Sequence, residues 1–370
     1  MQSEISSLPL IVYAAFGIIA TAFAVIVNYL FLRSIKNIGH HNKNANGHDN
    51  LVRWAANTKP IIGGFSMFIV FLLSVSSYYL LPFKNTELPP RELFALLSSV
   101  SMGFIIGLVD DSFHMLPAFK FVGQIVCALL MISMGVYISI ADSYILNVAF
   151  TIFWVVGIMN AINMIDNMDG IATIVSLGIL ACFITIMYLT GGFTDFYTII
   201  FVGAMSALLG FLYFNWHPSK MFMGDSGSQF LGALLAFAGI VLTWQFKSED
   251  SSSLYFPQFI LPAIVFALPI IDTTTVFIYR LARKQSPFVG GRDHTTHHLA
   301  YCGFSDKSVA LIFAIFALFS VVAACFLTQN FVNKPYHLPV IAVIYLVVLF
   351  IGIQISYRIG KARHLKKLKE

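Results

Sequence analysis

The sequence predicts an all-α polytopic membrane protein, as indicated by its composition, its hydropathy and the spacing of its apolar runs. Of the 370 residues, 58% are hydrophobic and only 11% are charged, whereas an ordinary soluble domain has about 25% charged residues. The mean hydropathy is +0.82. Too few polar side chains are present to cover a soluble core. The composition therefore excludes a soluble enzyme, a disordered protein and a nucleic-acid binder.

The apolar residues form eleven runs separated by short polar breaks. Each run has about 20 residues, enough for a helix to cross about 30 Å of hydrocarbon. No second domain is evident, so residues 1–370 are expected to form a single integral membrane domain. The predicted transmembrane helices, about eleven in number, lie at residues 8–32, 61–81, 92–109, 119–140, 147–162, 170–189, 196–214, 226–246, 256–280, 308–328 and 338–357.

The distribution of Lys and Arg predicts the orientation of these helices. With the N-terminus outside, 18 of the 22 basic residues fall on the cytoplasmic side and 4 fall outside. Such an excess of basic residues is typical of cytoplasmic loops. The C-terminus is then cytoplasmic, and residues 358–370 form a basic tail that lies against anionic headgroups. The net charge of +5 is thus chiefly a topology signal.

Acidic residues are rare in this chain, and five of them occur in three motifs at predicted helix ends. Asp110 and Asp111 end the third span in GLVDDS, Asp166 and Asp169 follow the fifth in NAINMIDNMDG, and Asp225 precedes the eighth in KMFMGDSGS. The alternation of spans puts all three motifs, together with GGRDHTTHHL after the ninth span, on the cytoplasmic side. Ionisable groups at membrane depth are functional candidates by default.

The acids suggest a site for a hard metal ion. Carboxylates without cysteine partners favour Mg²⁺ or Mn²⁺ over zinc. Asp110 and Asp111 are neighbours at a helix end and point in different directions, so one can touch metal while the other handles a proton or a second ligand. Asp166 and Asp169 are three residues apart and can line one pocket. Asn163 lies on a stripe of asparagines that can complete a metal shell or bind a nucleotide.

Several other residues in these motifs suit phosphate binding. Gly224 lets the backbone approach a ligand at the start of the eighth span, where a helix N-terminus attracts phosphate. Lys59 and Lys120 lie where spans begin, as snorkelling anchors or as phosphate contacts. Arg292 is a candidate forked phosphate contact. Asp272, near the inner end of the ninth span, is interpreted as a packed acid or as a wall of the same pocket.

The three histidines of the GGRDHTTHHL motif share one helical face if that loop is helical. His294, His297 and His298 have the spacing i, i+3, i+4, which also allows a zinc site. The neighbouring Arg292 and Lys284 instead suggest a cationic wall for a diphosphate. Both interpretations stay open at the level of the sequence.

Together these motifs resemble the polyprenyl-phosphate N-acetylhexosamine-1-phosphate transferases, within the superfamily of glycosyltransferase 4 and muramoyl-pentapeptide transferases. The resemblance runs from about residue 59 to 304 and is carried by GLVDD with LPAFKFVGQ, NAINMIDNMDG, NWHPSKMFMGDSGS and GRDHTTHHL. It implies a bacterial inner-membrane enzyme that transfers a sugar-1-phosphate from a UDP-sugar to undecaprenyl phosphate and releases UMP, with Mg²⁺ at a cytoplasmic site. Members of the family often form dimers, so a homodimer is an alternative to a monomer.

The resemblance also implies roles for individual residues. Asp225 and Asn163 would be Mg²⁺ ligands, and Asp110 and Asp111 would be the essential pair that deprotonates the lipid phosphate or holds metal. The nucleotide, metal or phosphate groups would be contacted by Asp166, Asp169, Lys59, Lys120, Gly224, Arg292, His294, His297 and His298. The run HTTHH replaces the three consecutive histidines of the muramoyl-pentapeptide branch, which favours the branch that uses UDP-GlcNAc to initiate cell-envelope polysaccharides such as lipopolysaccharide.

Two alternative functions remain. The nearer one is a phospho-N-acetylmuramoyl-pentapeptide transferase of the same superfamily. The more distant one is a secondary transporter, although transporters place their acids near the bilayer midplane and often carry two-fold repeats. In this chain the acids gather at inner helix ends and no repeat is evident.

Overall fold

The computed structural model describes residues 10–38, 59–80, 90–191, 194–245, 257–286, 291–333 and 339–367. The predicted polar loop around residues 38–50 lies almost entirely outside these ranges, as do the last three residues of the predicted basic tail. Within the ranges the chain is almost entirely helical, with helices α1 Leu10–Ile38, α2 Gly63–Leu80, α3 Pro90–Phe113, α4 Pro117–Ser133, α5 Tyr144–Ile165, α6 Ile171–Thr190, α7 Asp195–Asn215, α8 Gly224–Gly239, α9 Pro257–Val265, α10 Ala267–Ala282, α11 Thr295–Tyr301, α12 Asp306–Asn333 and α13 Pro339–Lys367.

Nine of the described helices are long and apolar enough to cross a membrane, and ten spans result if α9 and α10 are counted as one. Helix α4 is apolar but shorter, with 17 residues. The prediction of a polytopic all-α membrane protein is therefore confirmed. The count of about eleven spans and the orientation of the two termini stay predictions.

The structure shortens the predicted fourth span and breaks the ninth. Helix α4 ends near Gly135, which has a φ of +86°, and the amide of Val136 donates to the carbonyl of Met131 at 3.0 Å, as in a glycine-terminated helix. Helices α9 and α10 meet at an angle of 81°. Pro269 has no amide hydrogen to donate to the carbonyl of Val265, so the helical ladder opens between them.

Helix α8 is the centre of the bundle. It packs against α2, α3, α5 and α6 and continues into a π-helical turn. In the most apolar stretch of this span, 89% of the residues are buried, whereas the corresponding share is only 17% in α1 and 22% in α13. Because the exposed faces of these outer helices are apolar, they suit contact with lipid. The first residues of α8 carry the motif around Asp225 and are thus held by the core of the molecule.

Backbone pairing fixes the start of α8 against the start of α2. Ile61 and Phe222 form an isolated parallel β-bridge. The amides of Gly63 and Gly64 donate to the carbonyls of Phe222 and Met223 at 3.1 and 3.0 Å. A Cβ on Gly64 would overlap the backbone of the α8 N-terminus. The glycine pair therefore allows two helix starts to touch through their main chains.

Candidate active site

Four helices bring their polar residues together at one end of the bundle, around the ammonium group of Lys120. Its Nζ atom lies 2.8 Å from Asp110 Oδ2, 2.9 Å from Asp225 Oδ1 and 3.2 Å from Asn163 Oδ1. These residues come from the start of α4, the end of α3, the start of α8 and the end of α5. We call Asp110, Lys120, Asn163 and Asp225 the charged cluster. The structure thus brings the motifs GLVDDS, NAINMIDNMDG and KMFMGDSGS together at one end of the bundle. That this end faces the cytoplasm stays a prediction.

The carboxylate of Asp225 is oriented by Asn163. The side-chain amide of Asn163 donates to Asp225 Oδ1 and to the hydroxyl of Ser228, the latter at 2.8 Å. Its carbonyl oxygen meanwhile accepts from Lys120. Asn163 therefore connects the carboxylate, the ammonium group and the next turn of α8.

Asp111 points away from its neighbour Asp110, as predicted for adjacent residues at a helix end. Its two carboxylate oxygens accept hydrogen bonds from the backbone amides of Asp225 and Ser226, at 2.8 and 2.9 Å. Gly224 permits this approach, because its φ is +78° and a Cβ there would lie 2.8 Å from Asp111 Oδ2. Asp111 thus holds the N-terminus of α8, whereas Asp110 faces the cation.

A layer of neutral amides lies one helical turn deeper in the bundle than the charged cluster. The amide of Gln124 donates to Gln229 Oε1 at 3.0 Å and to Asn160 Oδ1 at 3.2 Å, and Asn160 donates back to Gln124 Oε1 at 2.7 Å. Gln124 follows Lys120, Asn160 precedes Asn163 and Gln229 follows Asp225 by one turn each. We call these three residues the amide layer.

Asp169 belongs to a second cluster. Its Oδ1 accepts from the hydroxyl of Ser219 at 2.7 Å, and its Oδ2 accepts from the Ser219 amide at 3.0 Å and lies 3.1 Å from His217 Nδ1. Lys59 Nζ lies 2.9 Å from Ser219 Oγ and 3.8 Å from Asp169 Oδ2. The same ammonium group lies 5.2 Å from the centre of the Phe222 ring. Lys59 and Asp169 therefore meet, as parts of a pocket that also includes His217 and Ser219.

Asp166 directly follows the last residue of α5. In the sequence it lies between Asn163 of the charged cluster and Asp169 of the second cluster. Burial and the negative charges of Asp225, Asp111 and Asp169 raise the pKa of Asp166 to about 7. The carboxyl group can therefore gain or lose a proton near neutral pH. This behaviour suits a group that takes part in proton transfer or in metal binding.

The predicted histidine face lies on the short helix α11, and the structure buries it. His294, His297 and His298 are each no more than 5% exposed. His294 Nδ1 lies 2.9 Å from Asp272 Oδ2, while Asp272 Oδ1 accepts from the backbone amide of Thr295 at 2.8 Å. Asp272 is thus a packed acid that orients the start of α11.

The protonation of His297 bears on its expected role. Burial, together with the charges of His294 and His298, lowers the pKa of His297 to about 3. The side chain is then neutral at physiological pH and does not supply the positive charge expected of a diphosphate wall. Among the residues that the structure describes, no three His, Cys, Asp or Glu side chains are grouped to hold a metal ion. The zinc alternative for the histidines therefore gains no support.

Arg292 is exposed, and two other arginines hold the loop before α11. Arg280 Nε and Nη2 donate to the two oxygens of Asp293 at 3.0 and 2.6 Å, and Arg283 Nη2 donates to Asp293 Oδ2 at 2.7 Å. Burial alone would raise the pKa of Asp293, but these hydrogen bonds and charges hold it at about 2. Arg280 thus makes a forked contact to a carboxylate of the protein itself. The phosphate contact of Arg292 stays a prediction.

A side-chain hydrogen bond joins α11 to the acidic motifs. Thr296 Oγ1 donates to Asn167 Oδ1 at 2.5 Å, across 129 residues of sequence. Asn167 lies in the turn between Asp166 and Asp169. The histidine helix and the NAINMIDNMDG motif therefore belong to one connected site.

Sequence reasoning did not assign Ser228, His217, Ser219 or Thr296, although all four contact a predicted residue. All four lie within quoted motifs, three in NWHPSKMFMGDSGS and Thr296 in GGRDHTTHHL, so their position beside predicted residues was the available signal. The partner of Thr296 could not be predicted, because Asn167 lies 129 residues away. The roles given to the predicted residues themselves stay predictions.

The charged cluster suits a divalent cation by the chemistry of its donors. Oxygens of two carboxylates and one amide already converge on a single positive group, the Lys120 ammonium. Mg²⁺ prefers such hard oxygen donors and usually keeps several waters or substrate phosphates as its other ligands. Asp110, Asn163 and Asp225 therefore fit this ion.

The membrane bundle and the polar site at its end agree with what comparison with known proteins finds. Residues 93–243 match glycosyl transferase family 4. The chain belongs to this family, and the resemblance drawn from the motifs is confirmed.

Three relatives illustrate the range of similarity. A probable undecaprenyl-phosphate N-acetylglucosaminyl 1-phosphate transferase of Bacillus subtilis is 32% identical over 279 residues, which are 71% of this chain and 72% of the relative. A decaprenyl-phosphate N-acetylglucosaminephosphotransferase of Mycobacterium tuberculosis is 32% identical and covers 68% of each chain. A phospho-N-acetylmuramoyl-pentapeptide-transferase of Streptococcus agalactiae is 30% identical over 79% of this chain and 89% of the relative.

Proposed function

We propose that this protein transfers GlcNAc-1-phosphate from UDP-GlcNAc to undecaprenyl phosphate and releases UMP, as the first step of a cell-envelope polysaccharide. The observation that carries the proposal is the charged cluster, in a chain 32% identical to a probable transferase of this specificity. The distribution of Lys and Arg supports a cytoplasmic active site in a bacterial inner membrane. There a water-soluble sugar nucleotide can meet a lipid phosphate.

In this reaction an oxygen of the lipid phosphate attacks the phosphorus bonded to the sugar. A new phosphoanhydride bond forms as the old one breaks, and UMP leaves with the electron pair. One anhydride replaces another, so the reaction is nearly balanced and needs no ATP. Lys120 is placed to stabilise negative charge on the transferred phosphoryl group, since its ammonium group already lies among oxygens of three residues.

Of the two adjacent aspartates, Asp110 is the better candidate to take a proton from the lipid phosphate. Asp111 uses both oxygens to bind backbone amides, so a proton on either would break a hydrogen bond that holds α8. Asp110 Oδ2 instead faces Lys120 at 2.8 Å. The aspartate pair would thus divide its work between proton transfer and positioning.

Mg²⁺, with Mn²⁺ as a substitute, would be held by Asp225 and Asn163, which leaves Asp110 for proton transfer. When bound, the ion would neutralise charge on the diphosphate and on leaving UMP. Lys59 and Asp169, with Ser219 and His217 beside them, form a polar pocket at the same end of the bundle. This pocket is our candidate for the nucleotide end of the substrate.

The proposal is tested by isotope exchange in membranes that contain the protein. Labelled UMP should enter UDP-GlcNAc only when both Mg²⁺ and undecaprenyl phosphate are present. Asp225→Ala should abolish exchange, because it removes the carboxylate shared by Lys120 and Asn163. Exchange that proceeds equally in this variant, or without the lipid, would contradict the proposal.

A second candidate is the transfer of phospho-N-acetylmuramoyl-pentapeptide, which the Streptococcus agalactiae relative is named for. The run His294-Thr295-Thr296-His297-His298 argues against it, because two threonines interrupt the histidines and the hydroxyl of Thr296 connects α11 to Asn167. Competition between UDP-GlcNAc and UDP-N-acetylmuramoyl-pentapeptide in the exchange assay separates the two. Stronger competition by the pentapeptide substrate would favour this second function.

A further inference from the structure

The inner half of α13 packs directly on the histidine helix α11. The ring of Tyr357, only 1% exposed, lies between two aromatic partners. Its centre is 3.9 Å from that of His298 on α11 and 4.1 Å from that of Tyr279 on α10, with the tyrosine rings within 3° of parallel. Tyr357 therefore joins the last helix to both elements that surround the histidines. It lies outside the segment that matches the family.

One turn further on, the main chains of the two helices touch. A Cβ on Gly360 would overlap the carbonyl oxygen of His298 and would lie 2.9 Å from its carbonyl carbon. These neighbours are backbone atoms, which cannot rotate away as the end of a side chain can. Gly352, on the same helix, has open space where its Cβ would be. The contact at Gly360 thus requires glycine, whereas the position of Gly352 does not.

Polar contacts also join α13 to α11 and α10 along the interface that Tyr357 and Gly360 form, which we call the seam. Arg363 donates to the carbonyl of Cys302 at the end of α11, and the Cys302 thiol donates to the carbonyl of Ser356 at 3.6 Å. Deeper along α13, Gln354 donates to Thr275 of α10 at 2.8 Å. The seam therefore combines ring packing, main-chain contact and hydrogen bonds along two turns of α13.

We infer that Tyr357 and Gly360 are positioning residues, which hold α11 at the depth where its first turn joins the active site. Displacing α11 at His298 would move Thr296, whose hydroxyl binds Asn167 between Asp166 and Asp169. It would also pull His294 from Asp272. The inference rests on the proposed function, because it assigns the histidine helix to the site that binds the UDP-sugar.

The test compares Gly360→Ala with Gly352→Ala in the full-length protein in membranes. We expect Gly360→Ala to slow UMP exchange at least about tenfold, since misplacing catalytic groups by about 1 Å can cost about a hundredfold. The loss should fall on kcat/KM for UDP-GlcNAc and leave KM for undecaprenyl phosphate unchanged. Gly352→Ala should behave like wild type. Tyr357→Phe should retain exchange because it keeps the ring, and Tyr357→Ala should lose it.

Alkylation of Cys302 supplies a readout that does not depend on activity. Its thiol lies at the seam, so the rate of labelling by a water-soluble maleimide should rise in Gly360→Ala but not in Gly352→Ala. Cys302→Ser gives the background from the other cysteines. Faster labelling with normal exchange would overturn the inference, as would slow exchange with unchanged labelling or no change in either. Wild-type membranes without any exchange would instead refute the proposed function, and the inference with it.

Discussion

The carboxylate of Asp111 caps helix α8 by accepting a hydrogen bond from the Asp225 backbone amide at 2.8 Å. A second oxygen accepts the next amide of the same helix. A negative group at a helix N-terminus is favoured by the unpaired amides and by the helix dipole. The two acids of different motifs are therefore coupled through the main chain, and the position of one depends on the other.

Replacing each member of the aspartate pair should separate positioning from chemistry. Asp111→Asn puts an amide group against backbone donors and should lower the free energy of unfolding by about 2 kcal/mol, from hydrogen bonds to a charged acceptor. Asp110→Asn should abolish UMP exchange but lower stability less than Asp111→Asn, because an amide oxygen can still accept the hydrogen bonds that Lys120 and the Met115 amide donate to Asp110. Melting in detergent and exchange in membranes measure the two effects. Equal loss of stability in both variants would show that the division of roles is wrong.

Gly107 of α3, which lies against the N-terminus of α8, should not tolerate an added methyl group. A Cβ on Gly107 of α3 would overlap the backbone of Asp225 and Ser226. Gly107→Ala should therefore move Asp225 and reduce both the melting temperature and UMP exchange. Gly157, in α5, has open space around its Cβ position, so Gly157→Ala should change stability by no more than about 1 kcal/mol, in the favourable direction. A tolerated Gly107→Ala would contradict the close packing described here.

The pKa of Asp166 predicts a pH dependence of stability. Because its pKa is about 7 in the folded protein against 3.8 for an ordinary aspartate, the folded state binds the proton more tightly than the unfolded chain. Its contribution to stability is fully present below about pH 4 and is lost as pH rises through 7. The slope is at most about 1.4 kcal/mol per pH unit.

Asp166→Asn should remove this slope, which thermal melts between about pH 5 and pH 8 can measure. The comparison is made with wild type in the same detergent and without divalent ions. Parallel curves for the two proteins would show that Asp166 does not titrate in this range.

Lys120 and a divalent cation should compete for the same oxygens. Lys120→Met removes the ammonium group and leaves Asp110, Asn163 and Asp225 without its charge, so Mg²⁺ should bind more tightly while exchange is lost. The measurement is the Mg²⁺ concentration that gives half of the maximal rise in melting temperature. Lys220→Met is the matched control, since Lys220 is exposed and lies over the Tyr213 ring, 5.5 Å from its centre. Weaker Mg²⁺ binding in Lys120→Met would contradict this competition.

The sequence predicts much of the bundle because membrane helices must be long and apolar. Each of the eleven predicted runs contains a described helix. It does not predict the bend between α9 and α10, since the apolar run continues across it and proline occurs on both sides, as Pro262 in α9 and Pro269 in α10. The early end of α4 has a clearer local signal in Gly135, but an apolar run continues beyond it.

The sequence predicts which residues form the candidate site better than it predicts how those residues contact one another. Helix ends and the alternation of spans bring Asp110, Lys120, Asn163 and Asp225 to one face, and adjacency separates Asp110 from Asp111. Nothing local predicts which of the two faces the cation, because that depends on the backbone of α8. The burial of His297 likewise depends on α11 packing against distant helices. Such contacts join different helices and leave no periodic trace in the sequence.

The amide layer has a consequence for the movement of protons. Side-chain amides do not ionise in water near neutral pH, and Gln124, Asn160 and Gln229 hydrogen-bond to one another directly. A proton released in the charged cluster therefore meets no acceptor among them. The layer therefore contributes no ionisable group through which a proton could pass from the charged cluster deeper into the bundle.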